Sequence, residues 1–125
     1  MFLVKVRSVF SGAHNLRGYK GKCEDLHGHN WKVEVSVSGE KLDDIGMVVD
    51  FSLLKQELNK ILNELDHKYL NKIEYFKCIN PTSENIAKYV YEKMVKNGLG
   101  VNIKEITVWE TDTSSATYSV RVVGR

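Results

Sequence analysis

The chain has 125 residues, 42% of them hydrophobic and 27% charged, with a formal net charge of +2 at pH 7. This length fits one domain spanning 1–125 with material for one core, and a weak charge with Lys and Glu intermixed argues against a nucleic-acid footprint. No apolar run approaches the ~20 residues of a bilayer span; the alternating start shows no signal peptide, and two distant cysteines, Cys23 and Cys78, form no disulfide scaffold, so a cytoplasmic protein without membrane contact is expected.

The pattern of residues 1–10 predicts a half-buried strand, with Phe2, Val4, Val6 and Phe10 on one side and Lys5 and Arg7 on the other. Residues 15–26 are polar, contain Gly18 and Gly21, and read as a loop. Residues 27–38 alternate again, with Trp31, Val33, Val35 and Val37 on one face and Asn30, Lys32, Glu34, Ser36 and Ser38 on the other. The period then changes: Phe51, Leu54, Leu58, Ile61, Leu62 and Leu65 follow helical spacing, with Asp50 as N-cap. Residues 71–80 are irregular. Pro81-Thr82-Ser83-Glu84 opens a second helix capped by Thr82, with Ile86, Val90 and Met94 as its apolar face and Gly98 and Gly100 at its end. Ile106, Val108 and Glu110 mark a third strand, and Ala116, Tyr118, Val120 and Val122 a fourth. The order ββααββ predicts an α+β fold, a four-stranded antiparallel sheet with two helices on one face.

Side chains at i and i+2 of a strand share a side, so His27 and His29 point the same way as Trp31 and the valines. His14 has the parity of Phe10 and joins them if the first strand runs on unbroken; a bulge at Gly12 would spoil that register. Three imidazoles can hold zinc and leave a fourth position open, the pattern of a catalytic site. Ordinary hydrogen-bonded histidines fit the same spacing. Cys23 lies four residues before His27 and can reach that region, as a base or as an inert thiol. Asp66 and His67 close the first helix, as proton-transfer groups or as a helix-end charge arrangement. Glu110 shares the parity of Ile106 and Val108 and faces inward, where a carboxylate needs a ligand or a salt bridge.

Six segments carry a family resemblance: Phe10-Ser11-Gly12-Ala13-His14, Cys23-Glu24-Asp25-Leu26-His27-Gly28-His29, Gly46-Met47-Val48-Val49-Asp50-Phe51, Leu65-Asp66-His67-Lys68-Tyr69-Leu70-Asn71, Pro81-Thr82-Ser83-Glu84-Asn85 and Glu110-Thr111. In this order, nearly end to end, they resemble the 6-pyruvoyl-tetrahydropterin synthase and 6-carboxy-tetrahydropterin synthase family; Gly12 departs from the family's usual Ala or Ser. The resemblance implies the tunnelling fold and a homohexamer built as a dimer of trimers with active sites between subunits. It implies zinc as cofactor, held by His14, His27 and His29, and Cys23 as proton-abstracting base. It also implies Asp66, His67 and Glu110 as a proton relay, Glu110 as anchor of the pterin ring, and 7,8-dihydroneopterin triphosphate as substrate. Thr82 and Ser83 are candidates for the pterin edge, and Arg17, Lys20 and Lys22 for the triphosphate.

The short gap between Cys23 and His27 resembles bacterial and archaeal 6-carboxy-tetrahydropterin synthases of queuosine and other deazapurine pathways; pyruvoyl enzymes of animals have a longer one. Glu24 after Cys23 resembles a subgroup that also releases 6-hydroxymethyl-7,8-dihydropterin for folate synthesis, with Glu24 as a second base; a solvent-exposed loop glutamate is the plain alternative. Two other classes remain open at this point, a non-catalytic zinc or pterin binder and another tunnelling-fold enzyme such as dihydroneopterin aldolase.

Overall fold

Strands β1 (Phe2–His14) and β2 (His27–Gly39) form one unbroken antiparallel ladder, from Phe2 opposite Gly39 to His14 opposite His27. Their alternation sends Val6, Phe10, Trp31, Val33, Val35 and Val37 into the core. Each such aliphatic side chain contributes about 1.5–3 kcal/mol by leaving water. The computed structural model describes residues 1–18 and 25–120, so Lys20, Gly21, Lys22, Cys23, Glu24 and Val122 lie outside the described residues.

Helix α1 (Phe51–Asn63) starts where the Asp50 carboxylate accepts the Ser52 N–H at 2.8 Å. It buries Leu54, Leu58, Ile61 and Leu62 against β1. Helix α2 (Ser83–Asn97) starts where the Thr82 hydroxyl accepts the Asn85 N–H at 3.1 Å, and it ends at Gly98, whose φ of 54° suits a residue without Cβ. It buries Ile86, Ala87, Val90 and Met94 against strands β4 (Asn102–Thr111) and β5 (Ser114–Tyr118). The two helices also touch each other and cover the apolar side of the sheet. The opposite side is polar, with Arg7 paired to Glu34 at 2.8 Å and the Thr107 and Thr117 hydroxyls 2.7 Å apart. Among the described residues no helix is long and apolar enough to cross a membrane.

Three expectations need correction. The sheet has five strands, in the order β3-β1-β2-β4-β5, because Lys68–Tyr69 forms a short strand β3 running parallel to β1 beside Gly12 and Ala13. Two residues carry no periodicity to read; the pairing arises because His67, at φ 56°, turns the chain back and donates its N–H to the Ser11 carbonyl at 2.6 Å. Phe51 is exposed at the first turn of α1 rather than buried with Leu54. The last strand ends at Tyr118, leaving Val120 exposed beyond it. The bulge feared at Gly12 is absent from the β1–β2 ladder, so His14 keeps the parity of Phe10.

Candidate metal centre and active site

Three neighbouring strands deliver four donor side chains to one point at the end of the core layer. His14 ends β1 directly opposite His27 at the start of β2, and His29 sits two residues further along the same face. Glu110 comes from β4, where the β4–β5 ladder shifts register between Trp109 and Thr111. Glu110 is the residue left out of that pairing, and it keeps the inward parity of the buried Ile106 and Val108. One donor atom from each of His14, His27, His29 and Glu110 lies within 4.8 Å of all the others.

The hydrogen bonds at the back of the rings fix what the front can do. His14 Nδ1 donates to the Pro81 carbonyl at 2.7 Å, and His27 Nδ1 donates to the Asp25 carbonyl at 2.7 Å. A carbonyl only accepts, so both rings carry hydrogen on Nδ1 and, when neutral, a lone pair on Nε2. Those two Nε2 atoms stand 3.0 Å apart. Among the described residues His29 Nε2 is buried with no hydrogen-bond partner, although Glu110 Oε1 is only 3.1 Å away, out of line for such a bond. Glu110 Oε1 is also 3.0 Å from His14 Nε2. Opposed lone pairs and an orphaned buried nitrogen are costly unless a cation sits among them. The set therefore fits a divalent metal ion, and imidazole nitrogens with a carboxylate suit zinc among others.

Burial drives this further. Desolvation holds His14 below the usual imidazole range, against the raising effects of the Pro81 hydrogen bond and Glu110. Desolvation likewise lowers His29, against the pull of Glu110. Both are thus neutral near pH 7, the form that binds metal. The Trp31 ring packs edge-on against His14 and His29, at centroid distances of 4.9 and 5.2 Å, and is itself anchored by its Nε1–H to the Gly12 carbonyl at 3.1 Å.

An open groove crosses the sheet beside the cluster. Gly28, where a side chain would meet no close neighbour, leaves room in it, and it runs from His29 on β2 over β1 to His67, Lys68 and Tyr69. Gly12 faces His29 on one side and Lys68 on the other, so two strand spacings separate the two walls, about 10 Å. At the far wall Asp66 Oδ1 accepts the Ser11 N–H at 2.9 Å and Oδ2 lies 3.0 Å from His67 Nδ1. The Ser11 bond first, then His67, hold the Asp66 carboxyl below its ordinary value. Asp66 is thus tied to β1 and to His67, beyond the end of α1.

Thr82 and Ser83 follow Pro81 at the start of α2, next in the chain to the carbonyl that holds His14. The Thr82 hydroxyl is engaged in the helix cap. Three of the five guanidinium N–H donors of Arg17 go to the carbonyls of Asn71, Phe76 and Ile79. Sequence reasoning missed the Pro81 and Asp25 carbonyls, since a main-chain oxygen leaves no residue signature. It had Glu110 facing inward but not among the imidazoles, a placement that depends on β4 pairing with β2.

Comparison with known proteins agrees with this geometry. The family model for 6-pyruvoyl tetrahydropterin synthase matches residues 3–121. A 6-carboxy-5,6,7,8-tetrahydropterin synthase from Synechocystis sp. is 37% identical, over 94% of this chain and 93% of the relative. A dihydroneopterin monophosphate aldolase from Pyrococcus furiosus is 41% identical, over 83% of this chain and 85% of the relative. The solved structure of the Caenorhabditis elegans 6-pyruvoyl tetrahydropterin synthase superposes with a TM-score of 0.82 at 35% identity, covering 97% of this chain and 98% of that one. Matched along nearly its whole length in both sequence and fold, the chain belongs to the 6-pyruvoyl tetrahydropterin synthase family of enzymes, whose members act on pterins.

Proposed function

We propose that this chain is a zinc-dependent lyase converting 7,8-dihydroneopterin triphosphate to 6-carboxy-5,6,7,8-tetrahydropterin, in the deazapurine route that leads to queuosine. The observation that carries the reading is the convergence of His14, His27 and His29 Nε2 on one point, with both determined tautomers presenting lone pairs to it. These imidazoles hold the zinc, which when bound acts as a Lewis acid toward the oxygens of the pterin side chain. Glu110 accepts from the amino and ring N–H groups of the pterin, a bidentate match for a carboxylate. Cys23, four residues before His27 in the chain, removes a proton from the side chain once its thiol is ionised. Asp66, 3.0 Å from His67 Nδ1, fixes the tautomer that leaves His67 Nε2 free to take up and return a proton. Thr82 and Ser83 border the pterin edge.

A second product has support of its own. Glu24 directly follows Cys23, and the Pyrococcus furiosus relative is named for an aldolase reaction on dihydroneopterin monophosphate. In this reading Glu24 acts as a second base and 6-hydroxymethyl-7,8-dihydropterin is released for folate synthesis. Mass spectrometry of products from the triphosphate tests both. Wild-type protein should form the 6-carboxy product, and Cys23→Ala should lose it by roughly 10²–10⁴-fold while keeping its zinc. If Glu24 is a base, Cys23→Ala spares some hydroxymethyl product and Glu24→Ala removes it. Wild-type protein that leaves the triphosphate unchanged overturns the lyase reading; the absence of hydroxymethyl product overturns only the second.

We also propose that one domain fills the chain and that it assembles as a homo-oligomer, in the form of a hexamer. Supporting this, Phe2, Leu3, Leu42 and Phe51 are exposed around one apolar hollow, and among the described residues a short edge strand, β5, has no partner on its outer side. A monomer in sedimentation velocity at micromolar subunit concentration overturns the assembly.

A further inference from the structure

Behind the histidine cluster, two asparagine side chains grip the chain as it leaves β1. Asn71 Oδ1 accepts the Asn15 N–H at 3.0 Å, and Asn71 Nδ2 donates to the Asn15 carbonyl at 2.9 Å. Asn80 repeats the arrangement two residues on, accepting the Arg17 N–H and donating to the Arg17 carbonyl, both at 2.9 Å. Each amide thus serves one residue of main chain as a partner strand would. Arg17 returns the grip through its guanidinium, at 2.8 Å to the Phe76 carbonyl and 3.1 Å to those of Asn71 and Ile79.

The grip has a definite target. Asn15 follows His14 in the chain, and Asn80 precedes Pro81, whose carbonyl receives His14 Nδ1–H at 2.7 Å. Asn80 is held in turn, its carbonyl accepting from Asn85 Nδ2 at 2.9 Å and from the Thr82 N–H at 2.9 Å. Both ends of the His14–Pro81 hydrogen bond are therefore anchored by side chains that lie outside the donor cluster. That hydrogen bond sets the tautomer of His14 and aims its Nε2, and partners of this kind typically control metal affinity by 10–100-fold.

We propose that Asn71, Asn80 and Arg17 form a clamp that positions His14 against Pro81 and so sets the affinity and geometry of the metal centre. The proposal rests on reading the cluster as a metal centre. The three lie outside the donor cluster of His14, His27, His29 and Glu110 and act as positioning residues. A clamp that served stability alone would lower the melting temperature and leave the folded protein's metal site unaltered.

The test compares the full chain, Asn71→Asp, Asn80→Ala and a core control, Ile61→Val, each well below its melting temperature. Asn71→Asp keeps the acceptor for the Asn15 N–H but sets an oxygen against the Asn15 carbonyl. Asn80→Ala, at a half-buried position, carries the test if Asn71→Asp fails to fold. Ile61 is fully buried in α1, so its variant loses stability away from the cluster. Zinc affinity is read by chelator competition and site geometry by the visible bands of bound cobalt(II). The clamp variants should weaken zinc by roughly tenfold and shift the cobalt bands, while Ile61→Val matches wild type in both. Folded clamp variants with wild-type affinity and bands overturn the clamp alone. Wild-type protein that takes up neither metal overturns the metal reading and the clamp with it.

Discussion

Removing and restoring zinc probes the cluster most directly, because the metal-free site leaves specific groups unsatisfied. Without a cation, His14 and His27 oppose nitrogens 3.0 Å apart, and His29 Nε2 is buried without a hydrogen-bond partner among the described residues. A ligand that binds only the folded state at 100 times its Kd adds about 2.7 kcal/mol of stability. An unfolding entropy of about 2.1 cal/mol/K per residue over 125 residues gives roughly 260 cal/mol/K. Chelator-stripped protein should therefore gain roughly 10 °C in Tm at that zinc concentration, and about 5 °C for each further decade. His27→Ala is the informative variant, since His27 is less buried than His14 and its truncation removes a donor with little packing. Circular dichroism melts across a zinc series read the effect. A wild-type Tm that ignores zinc, or a zinc increment in His27→Ala equal to that of wild type, would refute the reasoning.

Glu110→Gln keeps the shape of the side chain and removes its charge. If the carboxylate anchors the pterin, the variant retains zinc and KM rises by about tenfold or more, since a hydrogen bond to a charged group is worth about 1.5–3 kcal/mol; loss of zinc in metal analysis would instead make Glu110 a ligand. For Asp66 the folded-state carboxyl lies below its ordinary value of 3.8, chiefly through the Ser11 N–H. Its stabilising contribution is therefore complete above that value and is lost as pH falls through the folded one. Asp66→Asn should flatten the fall in urea midpoint below about pH 4, and an unchanged acid limb would show that the Ser11 and His67 contacts do not stabilise the fold.

The elements and the facing of the histidines were legible in the residues themselves. Alternation over 27–38 put His27 and His29 on the side of Trp31, and helical spacing from Leu54 to Leu62 with an Asp50 cap located α1, because both signals are local and repeat within a few residues. Family motifs added Cys23, Asp66, His67 and Glu110 as candidates by position in the chain, though Cys23 lies outside the described residues. Tertiary structure alone decided which of the described positions meet. The Pro81 carbonyl that fixes the His14 tautomer is 67 residues away in sequence and belongs to the main chain, which looks the same in every residue. The meeting of Glu110 with the histidines depends on how β4 pairs with β2, and the pairing of β3 with β1 depends on a turn at His67. The charge of Arg17 is visible in sequence, and its three carbonyl partners are not. Periodicity reports which side of an element meets the core; which atoms meet there is settled only when distant segments pack and each buried donor must find its acceptor.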